Sequence, residues 1–101
     1  MQLQDIYYAQ KTYAAFPQVF PSRLQHFEYE SISFKCEGFE ELPGWGVMRK
    51  IPNEKSTCGT NWGLLQGPSC IIRDVYVEDS GEYWCETGDE QKRNIINITC
   101  Y

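Results

Sequence analysis

The groups in this chain best equipped for chemistry are five cysteines, one histidine and the acids around Cys85. Cys85 closes the string Glu78-Asp79-Ser80-Gly81-Glu82-Tyr83-Trp84-Cys85. A cysteine in that setting has three uses: nucleophile, metal ligand, or half of a disulfide. A nucleophilic thiol needs a base to take its proton, and no histidine lies close to Cys85 in sequence. Zinc sites built on cysteine show close ligand pairs. Cys36, Cys58, Cys70, Cys85 and Cys100 form no CxxC, and His26 is far from all of them along the chain. No metal and no cofactor is therefore expected. Disulfides in a secreted or cell-surface domain fit the spacing better. Asn97-Ile98-Thr99 is an N-glycosylation acceptor tripeptide and agrees with that compartment, with Asn97 as the acceptor.

Composition narrows the field further. The chain has 101 residues, enough for one domain, and a net charge of −5. So small a domain buries a modest share of its surface, and covalent bridges would help it. An acidic chain is poorly matched to nucleic acid or to an anionic membrane, both of which call for a basic face. No run approaches the roughly 18 apolar residues of a membrane span, and no signal-peptide hydrophobic region is present. The sequence reads as a mature fragment, with any membrane attachment supplied by segments outside it. No enzyme is expected. There is no convincing Ser/His/Asp set, no phosphate-cradling glycine loop and no paired carboxylates on rigid neighbouring strands.

The elements that must carry these residues are strands. Ser31-Ile32-Ser33-Phe34-Lys35-Cys36 alternates polar and apolar without a break, which predicts a half-buried strand. Further strands are expected over residues 45–50, 70–75, 82–87 and 94–100, with an edge strand punctuated by Pro17 and Pro21. Residues 37–44 read as a loop. Residues 51–67 are rich in Pro, Asn and Gly, with at most a short strand near Cys58. Residues 1–15 carry no clear pattern and are expected to be an N-terminal extension to a domain over 16–101.

Many short strands separated by turn signals suggest a sandwich or a barrel, and the string ending at Cys85 chooses between them. Asp79-x-Gly81-x-Tyr83-x-Cys85 has the spacing of the tyrosine corner of an immunoglobulin-like sandwich. Asp79 and Gly81 make the turn between strands of opposite sheets. Tyr83 buries its ring and returns its hydroxyl to the corner backbone. The fold class expected is all-β: a compact Greek-key immunoglobulin-like sandwich of the C2/I-like type with two disulfides. In that fold Cys85 bridges to Cys36, and Trp45 packs on the bridge. Four cysteines allow three connectivities, and the fold assignment leaves Cys58 with Cys70. On the chain-entropy account the two bridges contribute about 4 and about 3 kcal/mol, large against a total of roughly 5–15 kcal/mol. Cys70 shares its parity with Ile72, which places this second bridge at the rim of the core. Cys100 has three readings: a small apolar side chain ending the last strand, a bridge to another chain, or a partner for a following domain.

The strings "GWGVMRK", "CGTNWG", "SCIIRDVYVEDSGEYWCE" and "NIINIT" resemble domains of the Fc-receptor-like and leukocyte immune-type receptors of bony fish. The resemblance runs over about residues 17–99, and Cys58 and Cys70 with Trp62 between them are its narrower signature. It implies an extracellular domain of an immune cell-surface receptor, or a secreted one, that recognises a protein ligand such as immunoglobulin Fc or a class I histocompatibility molecule. The competing expectation is an adhesion or spacer module with no ligand of its own. A spacer should present an evenly charged surface, and a binding domain a cluster of exposed aromatics.

Strand parity proposes where a ligand would touch. Tyr83 and Cys85 point inward, so Trp84 and Glu86 point outward, and Met48 does so on the neighbouring strand. An outward Trp84 beside Met48 is a candidate hot spot, with Trp62 in the pinned loop as another. Against this stands an indole covered by a neighbouring strand or by a glycan. A glycan on Asn97 would shade part of that sheet and favour binding through the loops at 37–44 and 88–93.

Overall fold

The computed structural model describes residues 17–36, 38, 44–87 and 94–101. The extension over 1–15 and most of the loops at 37–44 and 88–93 lie outside the described residues.

Among the described residues nine strands form two sheets. They are β1 (Gln18–Phe20), β2 (Gln25–His26), β3 (Ile32–Lys35), β4 (Gly46–Lys50), β5 (Lys55–Thr57), β6 (Leu64–Gln66), β7 (Ser69–Ile72), β8 (Gly81–Glu86) and β9 (Ile96–Cys100). One sheet has the order β1-β3-β7-β6 and the other β2-β9-β8-β4-β5. Neighbouring pairs are antiparallel except β2 with β9, which is parallel. The chain therefore enters on one sheet as β1 and crosses to the other as β2. This is the topology of a compact immunoglobulin-like sandwich.

Alternation explains β3, where Ile32 and Phe34 are buried and Ser33 and Lys35 are partly exposed. Each buried apolar side chain of this size contributes about 1.5–3 kcal/mol. Two strands escape pattern reading. β2 is two residues long, and β6 is a run of three exposed residues with no alternation. β6 exists because Gly67-Pro68 folds it back onto β7, with Gln66 paired to Ser69. Gly67 has φ +60°, the first-position conformation that a two-residue hairpin asks of glycine.

The core lies between the sheets. Phe34 stacks on Tyr83 with ring centroids 4.7 Å apart, and Trp62 meets Tyr83 edge-on at 5.7 Å. Cys36 and Cys85 are bonded, with Cα atoms 5.8 Å apart, and join β3's end to β8. Cys58 and Cys70 form the second disulfide, with Cα atoms 6.3 Å apart. Both Cys58 and Cys70 are buried in the main core cluster rather than at its rim. The reason is that this bridge also crosses between sheets, tying the residue after β5 to β7. Trp45 packs against the core cluster that contains Cys36 and Cys85. It is only partly buried, on the margin of the core, while Val47 stands opposite Cys85 and Trp62 supplies the buried indole.

Candidate functional site

The corner is built around Asp79. A short 3-10 turn, Val77–Asp79, leads from β7 into β8. The Asp79 carboxylate accepts the Tyr76 N–H at 2.8 Å and an Arg49 N–H at 2.8 Å. Its backbone carbonyl accepts the Tyr83 hydroxyl at 2.6 Å. Arg49 also donates to the Tyr83 oxygen at 3.1 Å, and its guanidinium lies 4.5 Å from the centre of the Trp62 ring. Burial pushes the Tyr83 phenol up to about 12, against the opposing pull of Arg49. Gly81 is needed for close approach, since a Cβ there would stand 2.8 Å from both the Lys50 carbonyl oxygen and an Ile51 carbon. Sequence reasoning passed over Arg49, although its parity with Val47 marks it as inward-facing. The Trp62 indole N–H is buried with no acceptor among the described residues. The Asp79 carboxylate, the Arg49 guanidinium and the Tyr83 hydroxyl are engaged with one another, so the corner serves the fold.

The five-stranded sheet carries Met48, Trp84 and Glu86, three of the four residues proposed for ligand contact. Met48, Trp84 and Thr57 lie in one row across β5, β4 and β8. Trp84 leaves its strand on the outward side as expected, yet it is 2% exposed, and Met48 is 7% exposed. Trp62 is 8% exposed, held between Arg49 and Tyr83. These three are corrected from exposed contacts to buried ones. Parity determines the face from which a side chain leaves, and it carries no information on whether that face is covered. Glu86 is partly exposed, and its carboxylate accepts the Trp84 indole N–H at 2.8 Å and pairs with Lys55 at 3.2 Å. It therefore anchors the indole rather than standing free. Asn97 and Thr99 are exposed on β9.

The exposed apolar residues gather elsewhere. Of ten large hydrophobic residues exposed among those described, six are linked at one pole: Leu24, Phe27 and Tyr101 line one depression, and Tyr29, Tyr76 and Val77 are joined to it through the turn at Glu28. Phe27 meets Tyr101 edge-on at 5.3 Å, and Tyr29 meets Tyr76 edge-on at 5.5 Å. Glu28 sits between the two ring pairs and fastens them. Its N–H donates to the Tyr101 carbonyl at 2.7 Å, and its carboxylate accepts the Val77 N–H at 3.2 Å. The turn is locked behind them. Arg23 makes two hydrogen bonds to the Glu30 carboxylate, which also accepts the Phe27 N–H at 3.0 Å. The Arg23 bonds, with the Phe27 N–H second, hold the Glu30 carboxyl down at about 2.

His26 and Cys100 are strand neighbours in the β2–β9 pairing, although they stand far apart in sequence. The imidazole does not serve the thiol. One ring nitrogen is 2.8 Å from the Arg23 carbonyl, and the other faces the Arg23 guanidinium and the Glu30 carboxylate. Cys100 is a free thiol, 1% exposed within the core cluster. Burial raises its pKa above the ordinary thiol value. It packs as a small apolar side chain.

No protein-family model and no curated protein sequence matches the chain. Among solved structures 42 chains match it. One of them is the chain of extracellular domains 3–5 of Drosophila OTK, with a TM-score of 0.52 and 16% sequence identity, over 85% of this chain. The match spans 32% of the length of that structure. At this identity the likeness is one of fold, and the fold is an immunoglobulin-like sandwich.

Proposed function

We propose that this chain is an extracellular, ligand-binding immunoglobulin-like domain of an immune cell-surface receptor, or of a secreted relative. Its ligand on this reading is a protein, such as immunoglobulin Fc or a class I histocompatibility molecule. The observation that carries the reading is the gathering of six exposed apolar side chains at one pole. A cluster of exposed apolar side chains is the mark of an interaction site. The two disulfides and the exposed Asn97 suit the extracellular compartment. Immobilised oxidised domain should retain purified serum immunoglobulin or class I molecules. A domain that is folded by melting and retains neither would sink the ligand assignment.

The spacer or adhesion reading draws support from a different observation. Trp84 and Met48 are buried, which removes the hot spot expected on the sheet. One matching solved structure is a run of extracellular domains, the setting in which spacer modules occur. On that reading neither protein is retained and removal of the polar aromatics changes no binding.

A further inference from the structure

The pole carries more than apolar area. We infer that it is a docking surface for a basic protein segment, one that lays arginine or lysine side chains over the Tyr29, Tyr76 and Phe27 rings. This rests on the protein-recognition reading above and adds the chemistry of the partner.

Charge supports it. Of the ionic groups around the pole, Arg23 is tied to Glu30 and Arg49 to Asp79. That leaves the carboxylates of Glu28, Asp74 and Glu78. Asp74 and Glu78 are exposed and make no ion pair among the described residues. The nearby cation left over is Arg73, which lines a depression with Trp62 on the side of β6 and β7. Lys50 and Lys55 belong to β4 and β5, two and three strands from β9. Aromatic faces with free carboxylates on neighbouring residues attract cations twice, through the ring quadrupole and through direct pairing.

The backbone supports it independently. Phe27 to Glu30 form a tight turn closed by the Glu30 N–H on the Phe27 carbonyl at 3.2 Å. Tyr29 occupies its third position with φ 75°, where glycine or asparagine is the comfortable choice. A tyrosine held there costs about 1 kcal/mol or more relative to glycine. Its ring contributes no core packing to offset that cost, since Tyr29 is 65% exposed. Its contact is with Tyr76, itself exposed. Strain kept for an exposed ring points to a use outside the fold.

The test uses the intact oxidised chain and short synthetic peptides of alternating arginine and serine, with lysine and glutamate versions as controls. Amide shifts should concentrate at residues 27–30 and 76–78 on adding the arginine peptide. They should be weaker with lysine and absent with glutamate. Tyr29→Gly should melt at or above the parent temperature and lose about tenfold in affinity. Tyr76→Ser, at an extended backbone position that caps the 3-10 turn through its main chain, should weaken binding in the same direction. Shifts mapped elsewhere, equal binding of the glutamate peptide, or an unaltered affinity in both variants overturns the proposal. So does a large loss of stability in Tyr29→Gly, which would make the ring structural. Shifts at the pole that follow protein concentration without peptide would identify a second copy as the occupant and equally reject a basic partner. Retention of immunoglobulin or class I protein alongside any of these failures leaves the broader recognition reading standing.

Discussion

Tyr83 joins the core to the corner. Its ring is stacked on Phe34 and touched by Trp62, and its hydroxyl both donates to Asp79 and accepts from Arg49. Tyr83→Phe removes the hydroxyl alone, and the expected cost is about 1–2 kcal/mol. The same residue sets an alkaline limit. An ordinary tyrosine ionises near 10, and burial holds this one to about 12. The folded state therefore keeps a proton that the unfolded state releases. Its contribution is complete below pH 10 and is lost as pH rises from 10 to 12. The loss should come to roughly 2–3 kcal/mol. Denaturant melts across that range should decline in the parent and be flatter in Tyr83→Phe. Parallel curves would mean that Tyr83 is not the group responsible. Trp84 makes a second residue-scale case. Because it is buried, Trp84→Ala should destabilise by about 3–5 kcal/mol, and any loss of binding would follow from unfolding. A melt matching the parent would restore the exposed reading.

At the scale of elements, the Cys58–Cys70 bridge is packed so closely that it dictates a neighbour. A Cβ on Gly63 would lie 2.7 Å from the Cys58 sulfur and 2.9 Å from the Cys70 sulfur, and Gly63 has φ +72°. Gly67 has a similar φ but open space around it. Alanine at 67 should cost about 1 kcal/mol from backbone strain alone. Alanine at 63 adds the clash and should cost at least about 2 kcal/mol. Equal costs in matched melts would mean that the bridge gives way. The sequence made the bridge's neighbourhood hard to read, because residues 51–67 have no alternation to mark β6. By contrast β3 was legible, since its buried residues recur at every second place, and β8 was legible from the corner spacing, which fixes its start, although Tyr83, Trp84 and Cys85 are all buried there. What pattern could not supply was coverage. Trp84 and Met48 leave on the outward side, and their burial depends on packing that no single strand encodes. The pole was equally hidden, because Phe27, Tyr29, Tyr76 and Tyr101 come from three separated stretches and meet only in three dimensions. The pairing of His26 with Cys100 was hidden for the same reason.

Across the whole molecule the proposed docking pole and the proposed glycan acceptor lie on separate surfaces. The pole gathers aromatic rings and unpaired carboxylates, while the outer face of the five-stranded sheet carries Asn97. Asn97 and Thr99 are both exposed on β9, and Asn97 stands opposite Glu82 of β8. A sugar there projects into solvent without displacing core. Tyr101 lies four residues further along, roughly 13 Å at the rise of a strand, so a glycan on Asn97 leaves the polar rings accessible. Chain expressed through a secretory pathway should therefore carry an N-linked glycan that glycosidase removes, and Asn97→Gln should abolish it. Surface substitutions of this kind change stability by no more than about 0.5 kcal/mol, so the variant should melt with the deglycosylated parent. Binding of the arginine peptide at the pole should be the same in glycosylated chain and in Asn97→Gln. Secreted protein whose peptide map has Asn97 unmodified would sink the site. A glycan that blocks the peptide would contradict the separation of the two surfaces.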